Sequence, residues 1–213
     1  MASPAYQDQV AEVRLLGAAN STARTTDQTA AAWFWANDAD GTYKPPGQML
    51  DLTRILANQW NLNVYDTARA FALVSLAMAD GAIAEWDVKY QTPVDLWRPV
   101  WAIQVGLGDT TWQPLGPAPC FPALGVRPRG LRRGVADGDD RRLQHRPDLA
   151  HRHHRRPQVA RAQPPLNRFS DAAEEDALSR LYLCVPYRWD AVDGLRLGRN
   201  IGSYVVGHEL RRL

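Results

Sequence analysis

The stretch Ala68-Arg-Ala-Phe-Ala-Leu-Val-Ser-Leu-Ala-Met-Ala-Asp-Gly-Ala-Ile-Ala84 decides how the fold is read. Alanine dominates it, and Arg69 and Asp80 are its charged residues. Alanine, leucine and methionine give up little side-chain freedom in a helix. There is no alternation of period two that would suit a strand. A helix that is apolar nearly all round needs neighbours on every side, so this one is expected at the centre of a helical bundle. Asn63, with Asp66 three residues on, marks its start and extends the expected buried helix to residues 64–84.

Working outward, the neighbouring segments also carry helical signals. Val10 and Val13, with Leu15 and Leu16, form a weak amphipathic stripe. Thr26 to Trp35 is alanine-rich and ends in Trp33-Phe34-Trp35. Asn37-Asp-Ala-Asp-Gly41 and Pro45-Pro-Gly47 read as turns. Met49, Leu52, Leu56 and Trp60 share one helical face, with Ile55 beside it. A further helix is expected over Asp171–Tyr187, capped by Ser170 and with Asp171, Glu174, Glu175 and Asp176 at the positive end of its dipole. The expected fold class is all-α.

With 213 residues, 45% hydrophobic and 23% charged, the composition is that of a globular domain. A wholly disordered chain and a collagen-like one are excluded. The weakly charged run Ala70–Ala79 is too short to span a bilayer, and no basic segment followed by an apolar one opens the chain. A soluble protein without a visible signal peptide is expected, its compartment unknown. Cys120 and Cys184 make neither a metal knuckle nor a disulfide framework.

The averages conceal a split. Residues 124–166 hold 11 of the 25 basic and 4 of the 23 acidic residues, and 4 of the 5 histidines. They contain no Phe, Tyr, Trp, Ile or Met. Without such anchors a segment cannot bury enough surface to offset its ordering entropy, so it reads as a disordered Arg-rich insert. The expected organisation is residues 1–123 and 167–213 as two parts of one helical domain, with 124–166 between them.

Two motifs flank the insert. The first runs from Trp86 through Lys89 to Trp97-Arg98-Pro99, with the proline suited to a first helical turn. A lysine and an arginine in a partly dry site can hold a phosphate-like anion. A surface lysine and an arginine stacked on Trp97 would serve structure equally well. The second is Ser179-Arg180, followed by Cys184, Pro186 and Asp190. Arg180 could join the anion site and Asp190 could orient a neighbouring group. The plainer reading is an Arg–Asp pair across a helix end.

Taken together, the motifs resemble one family, the vanadium-dependent haloperoxidases and their relatives the type 2 phosphatidic acid phosphatases. Arg24-Thr-Thr-Asp-Gln-Thr29 before Phe34-Trp35, Ala79-Asp-Gly-Ala-Ile-Ala84, Trp97-Arg98-Pro99, Arg168-Phe-Ser170 and Asp193-Gly-Leu-Arg-Leu-Gly198 look like the bacterial branch. The resemblance covers about residues 5–123 and 167–210. It implies a helical bundle of the haloperoxidase/phosphatidic acid phosphatase type. The site implied holds vanadate, for halide oxidation by peroxide, or phosphate, for phosphomonoester hydrolysis. The family grips its oxyanion with Lys…Arg-Pro, Ser-Gly-His and Ser-Arg…Gly-x-His…Asp. Residue by residue, the resemblance assigns Lys89, Arg98 and Arg180 to the anion and Asp190 to support of the last histidine. It assigns no metal ligand.

Three departures follow. Lys89 and Arg98 are separated by two residues more than in the family, with Pro93 between them, so a loop must take up the difference. Pro186 stands where the nucleophilic or vanadate-bonding histidine is expected, and Cys184 where glycine is. Proline offers no side-chain nitrogen. Finally, the chain has no Ser-Gly-His. That block is due after Cys120-Phe-Pro-Ala123, where the Arg-rich segment begins. Codons permitted for Leu124–Arg132, read one base further on, spell Trp-Ala-Ser-Gly-His-Ala-Ala-Phe. Together with 23 Arg against 2 Lys, as a GC-rich gene would give, this points to a frameshift near residue 124 compensated near residue 166. The expected protein is a superfamily member impaired in catalysis.

Residues 124–166 allow other readings. His151, His153 and His154 form a weak metal tract. An Arg-rich arm could bind nucleic acid through its phosphates, which would make the chain a non-catalytic basic binding protein.

Overall fold

The structure, a computed structural model, describes residues 3–36, 42–91, 96–123 and 169–211. Among these residues the regular structure is helical, with one antiparallel backbone bridge between Ala18 and Pro114. The elements are α1 (Pro4–Leu16), α2 (Thr26–Trp35), α3 (Lys44–Gln59), α4 (Val64–Gln91), a short α5 (Pro99–Trp101) that runs into a π-helical turn at Ala102–Gly106, α6 (Phe169–Tyr182) and α7 (Arg188–His208). The fold is an all-α helical bundle. The insert expected at 124–166, its disorder and its histidine tract lie outside the described residues.

Local chemistry explains where several helices begin. The Ser3 hydroxyl accepts from the Tyr6 amide at 3.3 Å, and proline occupies the first turn of α1. Thr25 and Gln28 form a reciprocal capping box on α2. Asn63 caps α4 by accepting from the Asp66 amide at 2.9 Å, as its spacing predicts. Pro45-Pro-Gly47, read above as a turn, instead lies in the first turns of α3. Prolines are tolerated there because those amides have no partner within the helix.

The described residues fall into two compact units. One is built from the stretch up to Ala36, the stretch from Glu85 to Ala123, and Ala173–Leu195. Its core gathers Val10 and Val13 of α1, Ala32 of α2, Val100, Ala102 and Ile103 around α5, and Leu181, Leu183 and Tyr187 at the α6–α7 link. Full burial of side chains such as Ile103 and Leu181 stabilises by about 1.5–3 kcal/mol each. The loop after α1 is fastened here too. The Ala19 amide donates to the Gln113 carbonyl and the Leu115 amide to the Gly17 carbonyl, both at 2.8 Å. Arg24 closes the α1–α2 loop, donating to the Leu16 and Ala18 carbonyls and to Thr29 Oγ1.

The other unit contains α3, the first part of α4 and the end of α7. Its buried positions include Gln48, Thr53, Ala57, Leu73 and Val205. The apolar stripe expected on α3 is only partly buried, because Gln48, Thr53 and Ala57 take the innermost places.

Three expectations about burial and length are corrected. Between Val64 and Ala84 only Leu73 is buried. Tyr65, Leu76 and Ile83, which recur near one angle of the helix, are 83%, 40% and 69% exposed. An all-round apolar helix is central only if neighbours surround it, and the packing of α4 leaves this face open. At 28 residues α4 is also long and apolar enough to cross a membrane by length and composition alone. The shorter run Ala70–Ala79 understated it, because a helix extends past isolated charges such as Asp80. The helix expected over Asp171–Tyr187 stops at Tyr182. Cys184 then takes a left-handed conformation at φ +65°, which ends α6 before Pro186.

Candidate functional site

The two lysine and arginine positions of the first motif lie on different elements. Lys89 sits in the last turn of α4, and Arg98 immediately precedes Pro99 at the start of α5. α4 ends at Gln91 and Arg98 caps α5, so the two cations belong to separate elements. Both side chains are buried, Lys89 at 7% and Arg98 at 6% exposure.

Phe121 brings them together. Lys89 Nζ lies 4.5 Å and the Arg98 guanidinium 4.8 Å from the centre of its ring. Trp86, one turn before Lys89, adds a second aromatic face 4.9 Å from Nζ. The negative faces of aromatic rings favour cations, so these rings replace part of the lost hydration. Lys89 also forms an ion pair with Glu85, four residues back on α4.

Arg98 works as a clasp. Its Nε donates to the Phe121 carbonyl at 2.7 Å and a terminal nitrogen donates to the Val185 carbonyl at 2.8 Å. Burial lowers the pKa of the guanidinium, opposed by the field of Asp190 and Glu85. Arginine still stays charged at any physiological pH.

Asp190 lies in the first turn of α7 and is 5% exposed. Its Oδ2 accepts from the Tyr187 amide at 2.9 Å, a helix-capping arrangement. Its Oδ1 is buried with no hydrogen-bond partner among the described residues. Desolvation pushes the carboxyl up to about 7, opposed by the Tyr187 amide and by the charges of Arg98 and Lys89. Asp190 thus belongs to the same electrostatic group as the two cations.

Arg180 is engaged by Asp176, one turn back on α6, with Nε 3.6 Å from the carboxylate. Lys89 and Arg98 meet on one ring, and Arg180 pairs with Asp176 within α6. Pro186 occupies the histidine position between Val185, which Arg98 grips, and Tyr187. Cys184 is fully buried and desolvation raises its thiol to about 12, so it is a packed apolar residue and not a thiolate.

Three participants were not singled out by their spacing. Tyr187 is fully buried, and its hydroxyl donates to the Trp97 carbonyl at 2.9 Å while Tyr6 donates to it at the same distance. This ties the segment carrying Arg98 to the link before α7. Phe121 supplies the shared ring. Glu85 could have been found from its four-residue spacing to Lys89.

The cluster offers two buried positive charges on an aromatic platform, with a carboxyl that titrates near neutrality. That arrangement suits a small oxyanion electrostatically. Pro186, where the resemblance expects the bonding histidine, itself offers no ring nitrogen. Among the described residues no group of three or more His, Cys, Asp or Glu side chains could hold a metal ion.

No family model matches the chain. In a match 129 residues long that takes in 52% of this chain and 21% of the other protein, the chain is 33% identical to a vanadium chloroperoxidase of Curvularia inaequalis. The crystal structure described as the first bacterial vanadium-dependent iodoperoxidase matches with a TM-score of 0.70 at 23% identity. That match covers 95% of this chain and 49% of the iodoperoxidase. The chain thus spans about a fifth of the one protein and about half of the other. The structural likeness at this identity carries the fold alone. In fold and in sequence the chain has a general resemblance to the vanadium haloperoxidase/acid phosphatase superfamily.

Proposed function

We propose that this protein binds a small tetrahedral oxyanion, vanadate or phosphate, through Lys89 and Arg98, with Arg180 as a third cation, and that it is catalytically impaired as written. The observation that carries the reading is the meeting of two buried cations on Phe121 beside the buried Asp190. Sequestered positive charge is worth far more to an anion than charge in water. In the superfamily the bound vanadate supplies halide oxidation by peroxide. In this chain no step is assigned to it, because Pro186 cannot bond vanadium or attack phosphorus.

In this reading Asp190 is the support left without its histidine. Its unpartnered Oδ1 is the kind of acceptor that orients an imidazole. In the same reading, residues 124–166 are a frameshifted segment that has replaced the Ser-Gly-His block. Peroxide and halide would be partners only of a restored site. Sequencing the gene tests the frameshift: two compensating shifts near residues 124 and 166 are expected, and an intact single frame shared by close relatives would refute it.

The activity test uses purified protein with vanadate, peroxide and bromide, and separately with a phosphomonoester. Little or no turnover is expected. Pro186→His alone should not restore activity, since the middle block is also missing. Robust turnover by the unmodified chain, abolished by Arg180→Ala, would overturn the reading.

A further inference from the structure

We infer that Glu85 is an internal competitor for the oxyanion, its carboxylate occupying the charge position beside Lys89 that the ligand must take. This deepens the proposed function and rests on that reading. Lys89 is almost fully buried, and its ammonium has three donors and no acceptor. Two of its neighbours are the rings of Trp86 and Phe121, which offer faces and not oxygens. The carboxylate of Glu85 supplies the oxygen, through a direct ion pair. Its field also reaches Arg98, which shares the Phe121 ring with Lys89. One carboxylate therefore neutralises the same pair of cations that a phosphate or vanadate would neutralise.

The two partners differ in burial. The Lys89 side chain is 7% exposed, whereas that of Glu85 is 50% exposed. Glu85 can turn outward into water at small cost, while Lys89 stays where α4 and the two rings hold it. An anion that displaces Glu85 must overcome an existing pair, which lowers its affinity. It also keeps a buried ammonium from standing unpaired, which would otherwise be costly. Glu85 thus sets the threshold concentration at which the site loads.

The experiment is calorimetric titration of orthophosphate, and separately of vanadate, into the wild-type chain, Glu85→Gln and Glu85→Ala. Glutamine keeps the size and exposed position of the side chain and removes its charge. Circular dichroism and the unfolding midpoint confirm the helical fold, and the alanine variant serves if glutamine disturbs it. The expected result is about tenfold tighter binding of both anions by the variants. Measurable binding with equal affinity in wild type and both variants would overturn the inference and leave the oxyanion reading intact. Binding by none of the three would overturn both.

Discussion

Asp190→Asn should flatten the pH dependence of stability between about pH 4 and 8. In the folded chain desolvation raises the Asp190 carboxyl from 3.8 to about 7. The folded state therefore binds this proton more tightly than the unfolded state does. The associated stability is fully present below the unfolded value of 3.8 and is lost as pH rises through about 7. At about 1.4 kcal/mol per pH unit, a shift of this size gives a loss of roughly 2–3 kcal/mol between pH 5 and pH 8. Asparagine keeps the size of the side chain and a carbonyl oxygen for the Tyr187 amide, but does not titrate. Urea denaturation of both proteins at several pH values between 4 and 8 is the assay, and subtracting the two curves removes the groups they share. The wild type should lose stability relative to the variant as pH rises. Parallel curves would refute the reasoning and place the carboxyl in a solvated or fully paired environment.

Other substitutions test the surrounding framework. Arg98→Lys should destabilise by about 3 kcal/mol in urea denaturation, because it abandons the Phe121 and Val185 carbonyls that the guanidinium holds together. Tyr187→Phe should cost about 1–2 kcal/mol, read by calorimetry, through loss of the bond to the Trp97 carbonyl. Cys184→Gly should change stability by no more than about 1 kcal/mol, since relief at φ +65° offsets the lost side-chain burial, whereas the β-branched Cys184→Val should cost more than 2 kcal/mol. Gly17→Ala should lower the unfolding temperature, because its Cβ would come within 2.7 Å of the Val13 carbonyl oxygen and 3.1 Å of Cys184 Cβ.

Local signals were legible in the chain where local chemistry decides them. Asn63 with Asp66, and the span from Thr26 to Trp35, place helix starts and ends that the structure repeats. Periodicity says that the α4 sequence is apolar, but not what covers it, so the exposure of Tyr65, Leu76 and Ile83 could not be read from it. The end of α6 at Tyr182 depends on Cys184 turning left-handed, a conformation that cysteine does not advertise. In the site, the charges of Lys89 and Arg98 were visible, but their meeting was not, because Phe121 lies 23 residues beyond Arg98 and joins them only after folding. The counter-charge of Glu85 was visible at helical spacing and becomes meaningful only because Lys89 is buried.

Vanadate titration into the wild-type chain and Lys89→Met, followed by vanadium NMR and by the shift in unfolding temperature, tests the oxyanion site most directly. The wild type should give a bound vanadate signal and a unfolding temperature that rises with vanadate concentration. Lys89→Met removes one of the two cations on Phe121 while keeping a side chain of similar length, and should weaken binding at least about tenfold. Undiminished binding in Lys89→Met, or none in the wild type, would contradict the assignment of Lys89 and Arg98 to the anion.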